Sequence, residues 1–159
     1  MEGFRRNRHY LTKLLSLYEP TFFFIQEHWL PQSEAFNSFK KEFSQYNFIT
    51  TSSDMFIPEE DIPLIAGATW HGSAIGWNRI LDPYIRKLPS VCERFCGVKY
   101  NDSIKLMNIS AYLPTSGRDD EYIDVIDQLL VFVMDNLEAE EALIIGLDTN
   151  ESEKSTRRR

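Results

Sequence analysis

A chain of 159 residues has room for one domain of ordinary size. Its 43% hydrophobic, 13% aromatic and 26% charged residues exclude a disordered chain, and no apolar run approaches the roughly 20 residues of a membrane-spanning helix. Net charge is −7, yet basic residues gather at both ends, so the body between is more acidic than the whole; that argues against broad coating of nucleic acid but not against an enzyme that meets phosphate through a bound cation.

The N-terminus has no apolar segment behind its charges, so no secretory signal is expected and the protein reads as intracellular, in nucleus or cytoplasm. Cys92 and Cys96 are too few for a disulfide scaffold or a four-ligand zinc site, and read as reduced thiols.

In chain order, Leu11, Leu14, Leu15 and Tyr18 recur at helical spacing, which predicts a helix over 7–18 with Asn7 as N-cap and Pro20 closing it. The apolar run 22–26 predicts a strand buried on both faces, with Glu27 at its end. A second helix is expected over 33–43, with Phe36, Phe39 and Phe43 on one side, and a strand over 46–51. Residues 54–67, with Pro58 and Pro63, read as an acidic surface loop. Strands follow at 72–77 and 84–88, then a hairpin of 94–100 and 103–112 around Asn101-Asp102. The clearest helix spans 121–137, with Tyr122, Ile126, Leu129, Leu130 and Val133 facing inward. Residues 142–147 form the last buried strand, before Asp148-Thr149-Asn150 and a basic tail that reads as a solvated turn or, alternatively, a nucleic-acid or nuclear-import patch. The order suits an α/β fold, a layered α/β sandwich with mainly antiparallel sheets, better than a regular βαβ nucleotide-binding fold, and no Gly-rich phosphate loop is present.

Glu27, Tyr112, Asp148 and Asn150 each follow or end a buried strand, and strand ends in layered α/β proteins converge on a rim where ligands bind. A carboxylate there is costly unless hydrogen-bonded or bound to a metal, and two from distant positions suit Mg²⁺. Each residue alone also fits an ordinary reading: Glu27 as a loop residue or helix cap, Asp148-Thr149-Asn150 as an Asx turn, Tyr112 as core.

Together, Phe-Ile-Gln-Glu-His-Trp-Leu (24–30), His-Gly-Ser-Ala-Ile-Gly-Trp (71–77), Asn-Ile-Ser-Ala-Tyr-Leu-Pro (108–114) and Ile-Ile-Gly-Leu-Asp-Thr-Asn (144–150) resemble the endonuclease/exonuclease/phosphatase superfamily. Within it, the sequence looks most like the endonuclease domain of LINE-type retrotransposons, the reverse-transcriptase-associated nucleases similar to apurinic/apyrimidinic endonucleases. The resemblance implies two mainly antiparallel sheets flanked by helices. It implies Glu27 as the ligand of Mg²⁺ (or Mn²⁺), Tyr112 as the residue positioning the phosphate, and Asp148 as the group orienting or deprotonating water. Asn150 would hydrogen-bond near the transition state, on a DNA phosphodiester as substrate.

Departures from the pattern shape the expectation. Leu147 stands between Gly146 and Asp148, where the family writes Gly-Asp-x-Asn. The family's asparagine-ending first strand would precede Met1, and its terminal aspartate–histidine pair would follow Arg159. His9 is expected to face solvent, His28 to point away from the site and His71, before a central strand, to lie away from it as well, and no histidine matches the terminal motif. The sequence therefore reads as a partial domain over 1–159, incomplete at both ends, weakly active or inactive, and prone to self-association through exposed sheet edges. A phosphatase or exonuclease of the same superfamily, and a non-catalytic scaffold remnant, are the competing readings.

Overall fold

The computed structural model describes residues 3–58, 71–115 and 119–150. Most of the expected acidic loop and all of the basic tail lie outside these residues.

Helix α1 (Phe4–Tyr18) is followed by β1 (Phe22–Gln26), α2 (Gln32–Glu42) and β2 (Tyr46–Thr51). A short 3₁₀ turn at Ser53–Phe56 precedes β3 (Ser73–Asn78), and another at Arg79–Tyr84 leads into β4 (Ile85–Lys87). The hairpin β5 (Phe95–Asn101) and β6 (Lys105–Tyr112), then α3 (Asp119–Asn136) and β7 (Ala142–Asp148), complete the described fold.

The strands form two sheets. One has the order β1-β3-β2, antiparallel throughout; the other has the order β4-β5-β6-β7, with β6 and β7 its one parallel pair. Strand periodicity assigns the layers. Phe23 and Ile25 of β1 face α1 and α2, in a core with Phe4, Leu11, Leu15, Phe39, Phe43 and Phe48. Phe22 and Phe24 face the other way, into the layer between the sheets, where Ile49, Ile75, Trp77, Cys96 and Val98 pack. Met107, Ile109 and Ala111 of β6 face α3, meeting Leu129 and Phe132. The result is a four-layer α-β-β-α sandwich, the layered architecture expected from the element order.

Three expectations need correction. Helix α1 begins three residues earlier than the sequence suggests: Gly3 is the N-cap, and Asn7 sits inside the helix, donating from its side chain to the Gly3 carbonyl at 3.2 Å. Phe4 supplies the burial that extends the helix, while Tyr18 is exposed. In α3 the buried stripe is Val125, Leu129 and Phe132, with Leu130 54% exposed, so the apolar face is rotated from the expected one. Most consequentially, β7 is not a buried strand. Among the described residues it is the edge of its sheet, and Leu143, Ile144, Ile145 and Leu147 are each more than a third exposed.

Candidate active site

The chain leaving β1 turns through an unusual backbone. Glu27 (φ 56°) and Trp29 (φ 54°) are both left-handed, with buried His28 between them. The facing segment is left-handed too, at His71 (φ 77°) and Gly72 (φ 97°). Non-glycine residues in this region cost on the order of 1–3 kcal/mol each and persist only where the surroundings over-determine them. Here they are held on two sides. His28 and Trp29 donate backbone N–H bonds to the carbonyls of Gly72 (3.3 Å) and His71 (2.9 Å), while the amides of Gly3 and Phe4 donate to Glu27 (3.3 Å) and His28 (2.8 Å).

The His28 ring locks the turn from within. Its Nδ1 accepts from the Leu30 amide at 3.1 Å, which leaves Nε2–H to donate to the Thr51 carbonyl at 2.9 Å. Burial pulls its pKa down to about 4, so the ring is neutral at physiological pH. Gly72 is required beside it, because a Cβ there would lie 2.4 Å from the imidazole. His28 thus points away from the site, and His9 is solvent-exposed, both as the sequence suggests.

A cavity of about 340 Å³ opens at this turn, lined by Glu27, His71, Arg94, Tyr112, Leu113, Pro114, Thr115 and Asn150. Three of the four candidate residues, Glu27, Tyr112 and Asn150, therefore share one cavity wall. Asp148 is not among the lining residues; it lies across from Tyr112 in the β6–β7 pairing. One Asp148 carboxylate oxygen accepts the Asn150 amide at 3.0 Å, the Asx turn that the spacing allows. Asn150 (φ 50°) then swings its side-chain amide onto the Leu113 carbonyl at 2.8 Å, tying the end of β7 to the segment after β6.

Tyr112 is 1% exposed, and its hydroxyl has no hydrogen-bond partner among the described residues. Burial pushes its pKa far up, with Arg94 pulling the other way and Glu93 and Glu27 adding to the rise, so the phenol stays protonated. A buried donor left without an acceptor is costly, and one lining a cavity is positioned for a ligand oxygen.

Arg94 is the residue that the sequence motifs do not single out. It is 5% exposed, and its guanidinium lies 5.1 Å from the centre of the Tyr112 ring. Glu121 on α3 and, at 3.9 Å, Glu93 pair with it. A signal for it does exist: the register pairing Phe95 with Ala111 and Asn101 with Lys105 sets Arg94 opposite Tyr112, where the Tyr112 amide donates to the Arg94 carbonyl at 3.1 Å. His71, which opens the 71–77 motif but is not expected near the site, also belongs to the wall; its ring stacks on Tyr112 at 5.4 Å between centres and 21° between planes.

Among the described residues, no group of three or more His, Cys, Asp or Glu side chains is arranged to hold a metal. Among the described residues, Glu27 is the one carboxylate residue of the cavity lining, and Tyr112, Thr115 and Asn150 are its other oxygen-bearing side chains. Such a donor set fits a hard cation that is bound by one or two carboxylates and keeps most of its water, and fits poorly a soft metal that needs a closed nitrogen–sulfur shell.

Neither a protein-family model nor a curated protein matches the sequence. Solved structures do. A 3′ phosphatase, NExo from Neisseria, bound to a product DNA hairpin, superposes with a TM-score of 0.65 at 13% identity, covering 94% of this chain and 55% of that one. D. rerio TDP2 complexed with a single-strand DNA product gives 0.58 at 18% identity, over 89% and 52%. An endonuclease/exonuclease/phosphatase family protein from Bacteroides thetaiotaomicron gives 0.60 at 11% identity, over 98% and 58%. The chain thus spans about half the length of the solved structures it matches, and what it shares with them is the two-sheet fold of endonuclease/exonuclease/phosphatase proteins.

Proposed function

We propose that the cavity binds a phosphodiester of DNA and hydrolyses it with a divalent cation, Mg²⁺ or Mn²⁺, held through Glu27. The observation that carries this reading is the gathering, in one cavity, of a carboxylate, a buried arginine and a buried phenol with no partner among the described residues, from positions 27, 94 and 112. Phosphoryl chemistry needs that combination, because catalysis there is positioning plus neutralisation of charge on phosphate oxygens. The cation, when bound, supplies much of that neutralisation. Tyr112 donates its O–H to a phosphate oxygen, and Arg94 balances the charge from the β5 side. Asp148, at the end of β7, orients the attacking water, and Asn150 fixes the rim between β7 and Leu113.

DNA as substrate is supported by the DNA products bound to NExo and to TDP2. The narrower likeness to retrotransposon endonucleases rests on the four sequence motifs alone. NExo being a phosphatase favours a second reading, a terminal phosphomonoester as substrate.

Relaxation of supercoiled plasmid in Mg²⁺ tests the first reading, with a 3′-phosphorylated oligonucleotide in parallel for the second. We expect Mg²⁺-dependent nicking that falls on the order of 100-fold or more in Glu27→Ala. Nicking indifferent to that substitution overturns the role of Glu27, and release of phosphate without nicking favours the phosphatase. A non-catalytic scaffold has no reason to bind Mg²⁺ through Glu27, which calorimetric titration of the two proteins reads directly. We also propose that the exposed edge of β7 supports self-association.

A further inference from the structure

Resting on the phosphate-ester reading above, we propose that His71 is a substrate-contacting residue whose imidazole N–H donates to a non-bridging phosphate oxygen in the cavity. Nothing in the sequence motifs gives this position a role. Its backbone is the starting point: the histidine sits at φ 77°, a strained conformation for a residue with a Cβ, and the glycine after it takes φ 97° freely. The carbonyls of both residues are pinned by the amides of the Glu27 turn. Strain that the surroundings hold this firmly marks a side chain whose direction matters.

That direction is toward the ligand space. The ring lines the cavity and lies against Tyr112, 5.4 Å away and within 21° of parallel. The neighbouring groups choose the ligand's charge. Arg94, although paired with Glu93 and Glu121, and the Tyr112 hydroxyl are both hydrogen-bond donors, so that side of the cavity presents donors to an anion across from the Glu27 side. A third donor at position 71 completes a set able to contact separate oxygens of one tetrahedral phosphate. A second role, as a mere stacking partner of Tyr112, needs the ring but not its N–H.

Two substitutions separate these roles. His71→Phe keeps an aromatic ring against Tyr112 and removes the donor; His71→Gln keeps an N–H donor and removes the ring. The probe is inorganic phosphate, titrated without metal and followed by phosphorus NMR line width, and by the shift of the His71 ring proton in the unsubstituted protein. We expect His71→Phe to weaken phosphate binding about tenfold with its melting temperature retained, and His71→Gln to stay within roughly threefold of the original. Phosphate should also move the His71 resonance. Equal affinity in His71→Phe, a motionless resonance, or no phosphate binding by the unsubstituted protein each overturns the proposal. The outcomes also separate from those of the hydrolase reading: His71-dependent phosphate binding without cleavage of any ester keeps this contact and removes that activity, whereas cleavage with His71-independent binding does the reverse.

Discussion

Cys96 shows how far a single side chain can be taken out of its ordinary chemistry by its place in the fold. It lies between the sheets, 1% exposed, packed with Ile49, Ile75, Trp77 and Val98. Burial pushes its thiol from 9.0 up to about 12, with the Ser73 side chain and the Ile75 backbone partly opposing the rise. Below pH 9 the thiol is protonated in both native and unfolded chains and contributes nothing to pH dependence. Above pH 9 the unfolded chain ionises while the native one does not, so stability falls as pH rises, by up to about 1.4 kcal/mol per pH unit from this group. Urea midpoints at pH 8, 9 and 10 should decline, and Cys96→Ala should flatten the decline relative to the unsubstituted chain, since the tyrosines that also titrate there are common to both. A slope that Cys96→Ala leaves unchanged would show that the thiol is not the cause.

At the scale of elements, β7 separates what the sequence discloses from what it hides. The strand itself is legible from six consecutive residues of apolar or small character, and so are β1 and β2, whose observed bounds match the expected ones. Burial is not legible, because an apolar run reads alike whether neighbours cover it or not. In β7, Leu143, Ile145 and Leu147 share a face with Met107, Ile109 and Ala111 of β6, while Ile144 and Gly146 face β1. Gly146 is close enough that a Cβ would lie 2.5 Å from Phe24. Both faces are thus apolar, and the outer backbone edge has no pairing strand among the described residues. Such an edge templates association with another chain. The protein is expected to show concentration-dependent association in sedimentation velocity, reduced by Ile145→Lys, which places a charge on the exposed strand. A monomer at all concentrations, or association that Ile145→Lys leaves intact, refutes β7 as the contact. Candidate residues were legible for a related reason: Glu27, Tyr112, Asp148 and Asn150 stand at strand ends, which composition marks. Arg94 and His71 depend on register and on a left-handed turn, which composition does not encode.

For the whole molecule, the question is what keeps four strand ends from two sheets at one rim. The apolar inter-sheet layer has no directional preference of its own, so the alignment must come from polar contacts that cross it. Ser110 of β6 is their node. Its hydroxyl lies 2.9 Å from the Ser73 hydroxyl of β3, receives the Gln26 side-chain amide of β1 at 3.2 Å, and reaches the Ile25 carbonyl at 3.2 Å. Gln26 also donates to the Gly146 carbonyl of β7 at 2.9 Å, and Ser73 to the Ser110 carbonyl at 2.9 Å. Each of these residues is within two positions of a site residue: Gln26 of Glu27, Ser73 of His71, Ser110 of Tyr112, Gly146 of Asp148. The Gln-Glu pair in the sequence therefore divides its labour, the glutamine fastening the sheets and the glutamate facing the cavity. Ser110→Ala removes the node while adding no bulk, leaving buried partners short of hydrogen bonds, at a cost of about 1–3 kcal/mol. Since a chain of this size loses roughly 2–4 °C per kcal/mol, its melting temperature should drop by several degrees. Phosphate binding should weaken in Ser110→Ala even at temperatures where the protein remains folded, because the lost contacts set the alignment of β1, β3, β6 and β7. If the melting temperature drops while phosphate binding is unchanged, the sheets are held in register by packing alone and the polar seam contributes only stability.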